Sequence, residues 1–233
     1  MNDATELPIV EDELSLLNDW VGLNDQNIIE LGCGAAKLSR ELLKRFPRSR
    51  VTGLEVDRIQ HEKNLLNPQE GLTFLAAGAQ EIPFPDATFD LAIMLKSLHH
   101  IPVELMHQAL GEIARVVRPG GKLYVSEPVY AGALNSITSI YNEERVVRIE
   151  AQRALDAAIA GGKWVQTNEI RFDSTSYFRN FEDYEKKQMH ATFRENAVTP
   201  EILERVRKAF EPHCGPDGVT FRRPQHVRLL QRI

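Results

Sequence analysis

Apolar side chains recur along the chain in two alternating rhythms. Residues 27–31 (NIIEL) form a short, largely apolar run ending in GCGA, after which Leu38, Leu42, Leu43 and Phe46 repeat at helical spacing as far as Pro47. This predicts a strand, a glycine turn and a helix. The rhythm returns in residues 50–56 (RVTGLEV), a strand, and in a helix capped by Asp57 that runs to Leu66 and is stopped by Pro68. Residues 72–77 (LTFLAA) predict a third strand. Residues 90–95 (DLAIML) predict a fourth, with the unbroken apolarity of a parallel strand buried on both faces. Pro102 opens a helix with an apolar face of Leu105, Ala109, Leu110, Ile113, Val116 and Val117; Pro119-Gly120-Gly121 end it, and residues 122–127 (KLYVSE) are a fifth strand. Strands alternating with helices call for parallel pairing through right-handed crossovers, hence an α/β fold with a doubly wound sheet.

The pattern changes at Pro128. Residues 136–160 predict one Ala-rich helix with Ile140, Val147, Ala151, Leu155 and Ile159 on a common face, stopped by Gly161-Gly162. From Trp164 to Phe193, β-like residues give way to the polar, helix-like FEDYEKKQMH. Phe172, Tyr177, Phe178, Phe181 and Tyr184 there are expected to form the core of the insertion or, alternatively, to wall an aromatic ligand. Thr199-Pro200 opens a further helix, and VTFRR and HVRLLQR, flanking Pro224, predict two closing strands. The acidic start of the chain predicts a helix with Leu14, Leu16, Leu17 and Trp20 on its apolar side, placed over a ligand or on the sheet edge.

Composition narrows the function. Hydrophobic residues are 42% and charged residues 26% of 233, which suits a globular domain and excludes a disordered or fibrous chain. A net charge of −5 gives no global positive field to hold a phosphate backbone, so nucleic acid is not an expected partner. No apolar run approaches the ~18 residues that cross a bilayer. The first twenty residues carry acids and no Lys or Arg, unlike a signal peptide, and the two cysteines, Cys33 and Cys214, are too few for a disulfide framework. A cytoplasmic protein is expected.

In an open α/β sheet, ligands collect at the carboxyl ends of the strands. The first strand ends in Glu30-Leu31-Gly32-Cys33-Gly34-Ala35-Ala36, where alternate glycines let the backbone approach a ligand closely. Lys37 occupies the position where a dinucleotide fingerprint needs a small residue, and no Gly-Lys-Ser/Thr follows, which disfavours NAD and a nucleotide-phosphate loop. The Glu30 carboxylate suits a ligand carrying positive charge. Glu55 ends the second strand, where an acid can accept both hydroxyls of a ribose.

The segments IIELGCGAAKLSREL, VTGLEVD, AQEIPFPDATFDLAIMLKSLHHI and LGEIARVVRPGGKLYVSEP, in that order over residues 26–128, resemble class I S-adenosylmethionine-dependent methyltransferases. The resemblance is strongest to the small-molecule branch with a PFPD…FD…LHH signature, which includes quinone-biosynthesis enzymes. It implies a Rossmann-like, mostly parallel seven-stranded sheet with a helical lid inserted after strand five. It also implies a single domain over 1–233: a cap helix in 1–24, a cofactor-binding core in 25–128, a lid or acceptor insertion in 129–198, and a C-terminal helix with the final strand pair in 199–233. The implied cofactor is S-adenosyl-L-methionine, with S-adenosyl-L-homocysteine as product, a small-molecule acceptor and no metal.

Carried over by residue, the resemblance places Glu30, Gly32, Cys33 and Gly34 at the methionine end of the cofactor and Glu55 on its ribose. Val56 would pack on the adenine, Ala79 and Gln80 would flank the base edge, and Leu95 with Lys96 would approach the amino group. Two departures stand out: Ala36 replaces a third glycine, and Gly78 stands where many members have an acid on the adenine, leaving Gln80 or the backbone to read the base.

Methyl transfer is an in-line displacement at an activated carbon, dominated by positioning. A base is needed only where the acceptor loses a proton. His99 and His100 have the right chemistry, although a hydrogen-bonded structural pair is the alternative. Glu127, at the end of the fifth strand, and Tyr130 either orient an acceptor or begin the next loop. Arg145 and Arg148 share a helix face that can grip an anion, or form with Arg153 a solvated face paired to Glu144 and Glu150. Cys33 is not expected to be a nucleophile. The rival readings are a non-catalytic cofactor-binding module and an RNA or protein methyltransferase.

Overall fold

The computed structural model describes residues 6–189 and 198–233; residues 1–5 of the expected cap segment and 190–197 of the expected insertion lie outside them. The elements in chain order are α1 (Glu13–Val21), β1 (Asn27–Leu31), α2 (Lys37–Arg45), β2 (Arg50–Leu54), α3 (Arg58–Leu65), β3 (Leu72–Leu75), β4 (Phe89–Leu95), α4 (Val103–Val116), β5 (Val117–Pro128), α5 (Ala133–Thr138), α6 (Arg145–Ala160), β6 (Trp164–Phe178), α7 (Phe181–Gln188), α8 (Pro200–Phe210) and β7 (Val219–Arg232). The strands form a seven-stranded sheet in the order β3-β2-β1-β4-β5-β7-β6. Strands β1 to β5 are parallel neighbours in that order. Strand β7 pairs with β6 antiparallel: Thr167 Oγ1 donates to Leu229 O, Ser174 Oγ to Arg223 O, and Ile233 N to Lys163 O, so one strand ascends as the other descends. The chain thus builds the α/β doubly wound sheet that its alternating pattern predicts, with the seven strands of the Rossmann-like sheet that the resemblance implies.

The chain divides into two compact units. One comprises Asp12–Glu127, Val146–Ile170 and His226–Ile233. Its core is built from the apolar runs of the central strands, Ile29 and Leu31, Ala92 and Met94, Leu123 and Val125, against Leu110 and Ile113 of α4 and Ala151 and Leu155 of α6, all at most 2% exposed. Helix α1 packs on this sheet: Tyr124 of β5 donates to Glu13 Oε1 at 3.0 Å, and its ring lies 6.2 Å from that of Trp20. The strand it meets is interior to the sheet, whereas the sequence offered a place over a ligand or at the sheet edge.

The other unit comprises residues up to Glu11, Pro128–Arg145 and Arg171–Gln225. It has its own core, in which Phe178, Phe181, Tyr184, Phe210 and Phe221 meet mostly in edge-to-face and tilted pairs, with centroid separations from 5.0 to 6.2 Å. Tyr177, expected in that core, is instead half exposed, with its hydroxyl on Asp217 O at 3.0 Å.

Two expected elements differ. The single helix of 136–160 is two helices, because Asn142 Nδ2 donates to Glu144 at 2.6 Å and Glu143 accepts the Arg145 amide at 2.8 Å, a local turn that starts α6 afresh. The expected closing pair VTFRR and HVRLLQR is one continuous strand, β7, and its partner is β6. Proline usually breaks a strand because it brings no donor. Here the Gln225 side-chain amide satisfies Arg223 O and Ser174 Oγ beside Pro224, and Pro224 O accepts Val129 N.

Candidate functional site

At the carboxyl ends of β1 and β2 the chain makes a sharp turn. Gly32, Gly34 and Ala36 all take left-handed φ, at 69°, 52° and 52°. A β-carbon on Gly32 would lie 2.8 Å from Ser97 Cβ, and Ser97 is fixed by its hydroxyl on Leu31 O at 2.7 Å, so only glycine fits. Around Gly34 the opposite holds: nothing lies within 4 Å of where its β-carbon would be. This open position lies between two buried acids of the neighbouring strand ends.

Glu55, 7% exposed, accepts Gly34 N at 2.7 Å and Asp57 N at 2.9 Å. Glu30, 4% exposed, accepts the Ser39 hydroxyl, and among the described residues no cation pairs with it. Burial therefore pushes its carboxyl up to about 7, against the pull of Ser39 and with a small added push from Glu55. Cys33 lies under the turn, with Gly53 leaving room for its sulfur, and burial raises its thiol well above the ordinary range. A thiol so buried and so held in its neutral form makes a poor nucleophile. Val56, directly after Glu55, is 68% exposed, an apolar side chain left in solvent beside a buried carboxylate. Sequence reasoning missed Asn64, 3% exposed, which donates to Gly34 O at 2.7 Å and so holds the turn from α3. A polar residue in a helix of weak amphipathicity gives no sequence signal for that role.

The loop after β3 adjoins β2's end, since Glu55 N donates to Leu75 O. In it Ala79 is buried, and the Gln80 side chain folds back on Gly78, where a β-carbon would come within 2.7 Å of the amide carbon. Strand β4 ends at half-buried Leu95, and Lys96, at φ 58°, turns the chain while its amide donates to Ser126 O at 2.7 Å. Glu30, Gly32, Cys33, Gly34, Glu55, Val56, Ala79, Gln80 and Leu95 are all thus placed along one edge of one sheet within one unit.

Beyond β4, Glu127 is 1% exposed and has both oxygens engaged: Oε1 accepts Leu98 N at 2.9 Å and Oε2 meets His99 Nδ1, with His99 itself buried. The exposed His100 ring lies 4.1 Å from that of His99. In the other unit, Tyr130 donates to Glu143 at 2.7 Å while the Arg145 guanidinium lies 4.7 Å over its ring. Arg148, Glu150 and Arg153 belong to the first unit: Arg148 is half buried, and Arg153 pairs with Glu150 at 2.5 Å, as on a solvated face.

Positive charge would compensate buried Glu30, hydroxyls would find a fixed acceptor in Glu55, an apolar ring would cover Val56, and Gly34 leaves the room. These residues fit S-adenosylmethionine, which carries all of those groups.

Residues 29–125 match the family model of the methyltransferase domain. The O-methyltransferase rstn1 of Aspergillus nomiae is 34% identical over 109 residues, 44% of this chain and 46% of that protein. The matches span about half the length of such curated relatives, 46 and 50% in two of them. The YcgJ protein of Bacillus subtilis superposes with a TM-score of 0.66 at 15% identity, covering 94% of this chain and 98% of that one. Geranyl diphosphate C-methyltransferase of Streptomyces coelicolor A3(2), solved with Mg2+, geranyl diphosphate and S-adenosyl-L-homocysteine, superposes with a TM-score of 0.58 at 14% identity over 95% of this chain and 78% of that one. Among the described residues no helix is long and apolar enough to cross a membrane.

Proposed function

We propose that this chain, whose residues 29–125 match the methyltransferase domain model, is a class I S-adenosylmethionine-dependent methyltransferase that transfers the cofactor's methyl group to a small-molecule acceptor. The observation that carries the reading is the pair of buried acids, Glu30 and Glu55, flanking the open Gly34 turn. The bound cofactor supplies a methyl carbon already activated by its sulfonium. What the chain contributes is position and dryness. Glu30 holds the cationic amino-acid end, Gly32, Cys33 and Gly34 bring the backbone alongside it, and Glu55 takes the ribose hydroxyls. Val56 and Ala79 give apolar surface to the adenine, Gln80 meets its edge, and Leu95 offers its backbone carbonyl.

For an acceptor that must lose a proton, exposed His100 is the base, with His99 locked behind it by Glu127. Glu127 is then a positioning residue. Arg145, held over Tyr130, and Arg148 offer guanidinium groups to an acidic acceptor. Support for a small acceptor comes from a relative named a fatty-acid O-methyltransferase, 29% identical over 140 residues. Two free cysteines fit a reducing, cytoplasmic setting.

Calorimetric titration with S-adenosylmethionine and S-adenosylhomocysteine tests the reading. Micromolar binding that is lost in Glu55→Ala supports it and turns the problem into an acceptor screen with labelled cofactor. Failure of the native chain to bind either ligand overturns it.

A further inference from the structure

Helix α4 turns three polar side chains, Gln108, Glu112 and Arg115, toward the irregular segment joining β3 to β4. Their spacing of four and then three residues puts them on one helix face. Gln108 Nε2 donates to Gln80 O at 2.9 Å. Glu112 accepts Ile82 N at 3.1 Å, and Arg115 donates through Nη2 to Ile82 O at 2.8 Å and through Nη1 to Phe84 O at 2.7 Å and Asp86 at 3.0 Å. The guanidinium is itself squared by two 2.8 Å bonds to Glu112, and the Arg115 carbonyl accepts Ala87 N at 2.9 Å. From Gln80 to Ala87 the segment is therefore gripped at alternate positions by one face of one helix. Elsewhere it has few anchors, chiefly buried Ile82 and the Phe84 ring against Phe89.

We infer that this stripe, with Arg115 at its centre, sets the selectivity of the cofactor site for its base without touching the ligand. The inference rests on the cofactor reading above. The Gln80 amide lies folded over Gly78, so the course of the backbone over 78–82 sets where its donor and acceptor point. An amide reads a purine edge only when its two atoms are in register with it, as in bidentate recognition of adenine by glutamine. Backbone bonds from Gln108, Glu112 and Arg115 fix that register. A planar fork with all its donors committed, as Arg115 has, holds a loop far more tightly than a single ammonium would.

The test compares two ligands that differ only at the base edge, S-adenosylhomocysteine and S-inosylhomocysteine, whose exocyclic amine is replaced by a carbonyl. Their dissociation constants are measured for the native chain, Arg115→Ala, Arg115→Lys and Gln108→Ala, with hydrogen exchange followed over residues 78–87. A merely structural loosening weakens both ligands alike and leaves their ratio unchanged. The expected result is a native preference for the adenosyl ligand that falls about tenfold in Arg115→Ala, less in Arg115→Lys and about threefold in Gln108→Ala, with faster exchange confined to 78–87. Should Arg115→Ala fail to fold, the two milder variants carry the test. An unchanged ratio in both, or a native chain that binds the two ligands equally, overturns this inference alone. A native chain that binds neither overturns the cofactor reading and this inference with it.

Discussion

Glu55 accepts the backbone amide of Gly34 at 2.7 Å, tying the end of the second strand to the glycine turn after the first. Its other oxygen accepts Asp57 N at 2.9 Å. A single carboxylate therefore shapes the turn and still has lone pairs to offer a ligand, since each oxygen accepts more than one bond. Replacing it removes both contributions. Glu55→Gln keeps an acceptor for one of the two amides and is expected to weaken S-adenosylhomocysteine about tenfold. Glu55→Ala strands two backbone donors and is expected to weaken it roughly a hundredfold, with a loss of about 1–3 kcal/mol in urea unfolding. Calorimetry and denaturation on both variants separate the two effects.

With Glu30 at the cofactor's cationic end as proposed, cofactor affinity is expected to depend on pH. Burial raises the Glu30 carboxyl to about 7, with no cation paired to it among the described residues. Only the ionised form attracts the ligand's positive charge, so affinity should rise as pH passes upward through about 7 and level off above it. Stability runs the other way. A raised pKa means the folded chain holds a proton the unfolded chain has released, so stability from this group is full below its ordinary value and is lost as pH rises through about 7, by about 3 kcal/mol. Glu30→Gln should therefore unfold later than the native chain at pH 9, bind cofactor poorly, and lose the pH dependence of binding. Thermal unfolding and titration across pH 5–9 check all three.

Gly32 and Gly34 share a left-handed backbone but not an environment. Alanine at Gly32 meets Ser97 Cβ at 2.8 Å, a side chain pinned to Leu31 O, so Gly32→Ala should cost about 2 kcal/mol or more, roughly half from the dihedral and the rest from the clash. Alanine at Gly34 meets nothing within 4 Å, so Gly34→Ala should cost only about 1 kcal/mol yet block the ligand. Equal destabilisation by both, or unimpaired binding in Gly34→Ala, would contradict the assignment of that opening to the cofactor.

The central strands were legible because parallel strands covered on both faces read as apolar runs, and the acids at their ends because strand ends fix where a side chain arrives. Glu30 and Glu55 needed no coordinates for that. What stayed hidden depends on partners distant in sequence. Gln108, Glu112 and Arg115 read as the wet side of an amphipathic helix, and only the course of the loop after β3 shows what they hold. Pro224 reads as a break, and its tolerance comes from the Gln225 amide. Glu127 offered a catalytic and a loop reading with equal force, and its two bonds to the chain decide where its oxygens point.

Those two bonds yield a prediction about Glu127 that is independent of any acceptor. A group that serves only substrate can be truncated without harm to the fold, whereas Glu127 is 1% exposed and shared between Leu98 N, at 2.9 Å, and His99 Nδ1. Removing one partner of a buried pair leaves the other without its counterpart, at a typical cost of about 3–5 kcal/mol. Glu127→Ala should lose that much in urea unfolding, and Glu127→Gln distinctly less, since the amide retains an oxygen for Leu98 N and the shape of the side chain. Because His99 directly precedes His100, Glu127→Gln should also lower turnover more than it weakens S-adenosylhomocysteine, once an acceptor is in hand. Native-like unfolding of Glu127→Ala would mean that the pair contributes nothing to the fold, and the carboxylate would then return to the acceptor side as a group that touches substrate.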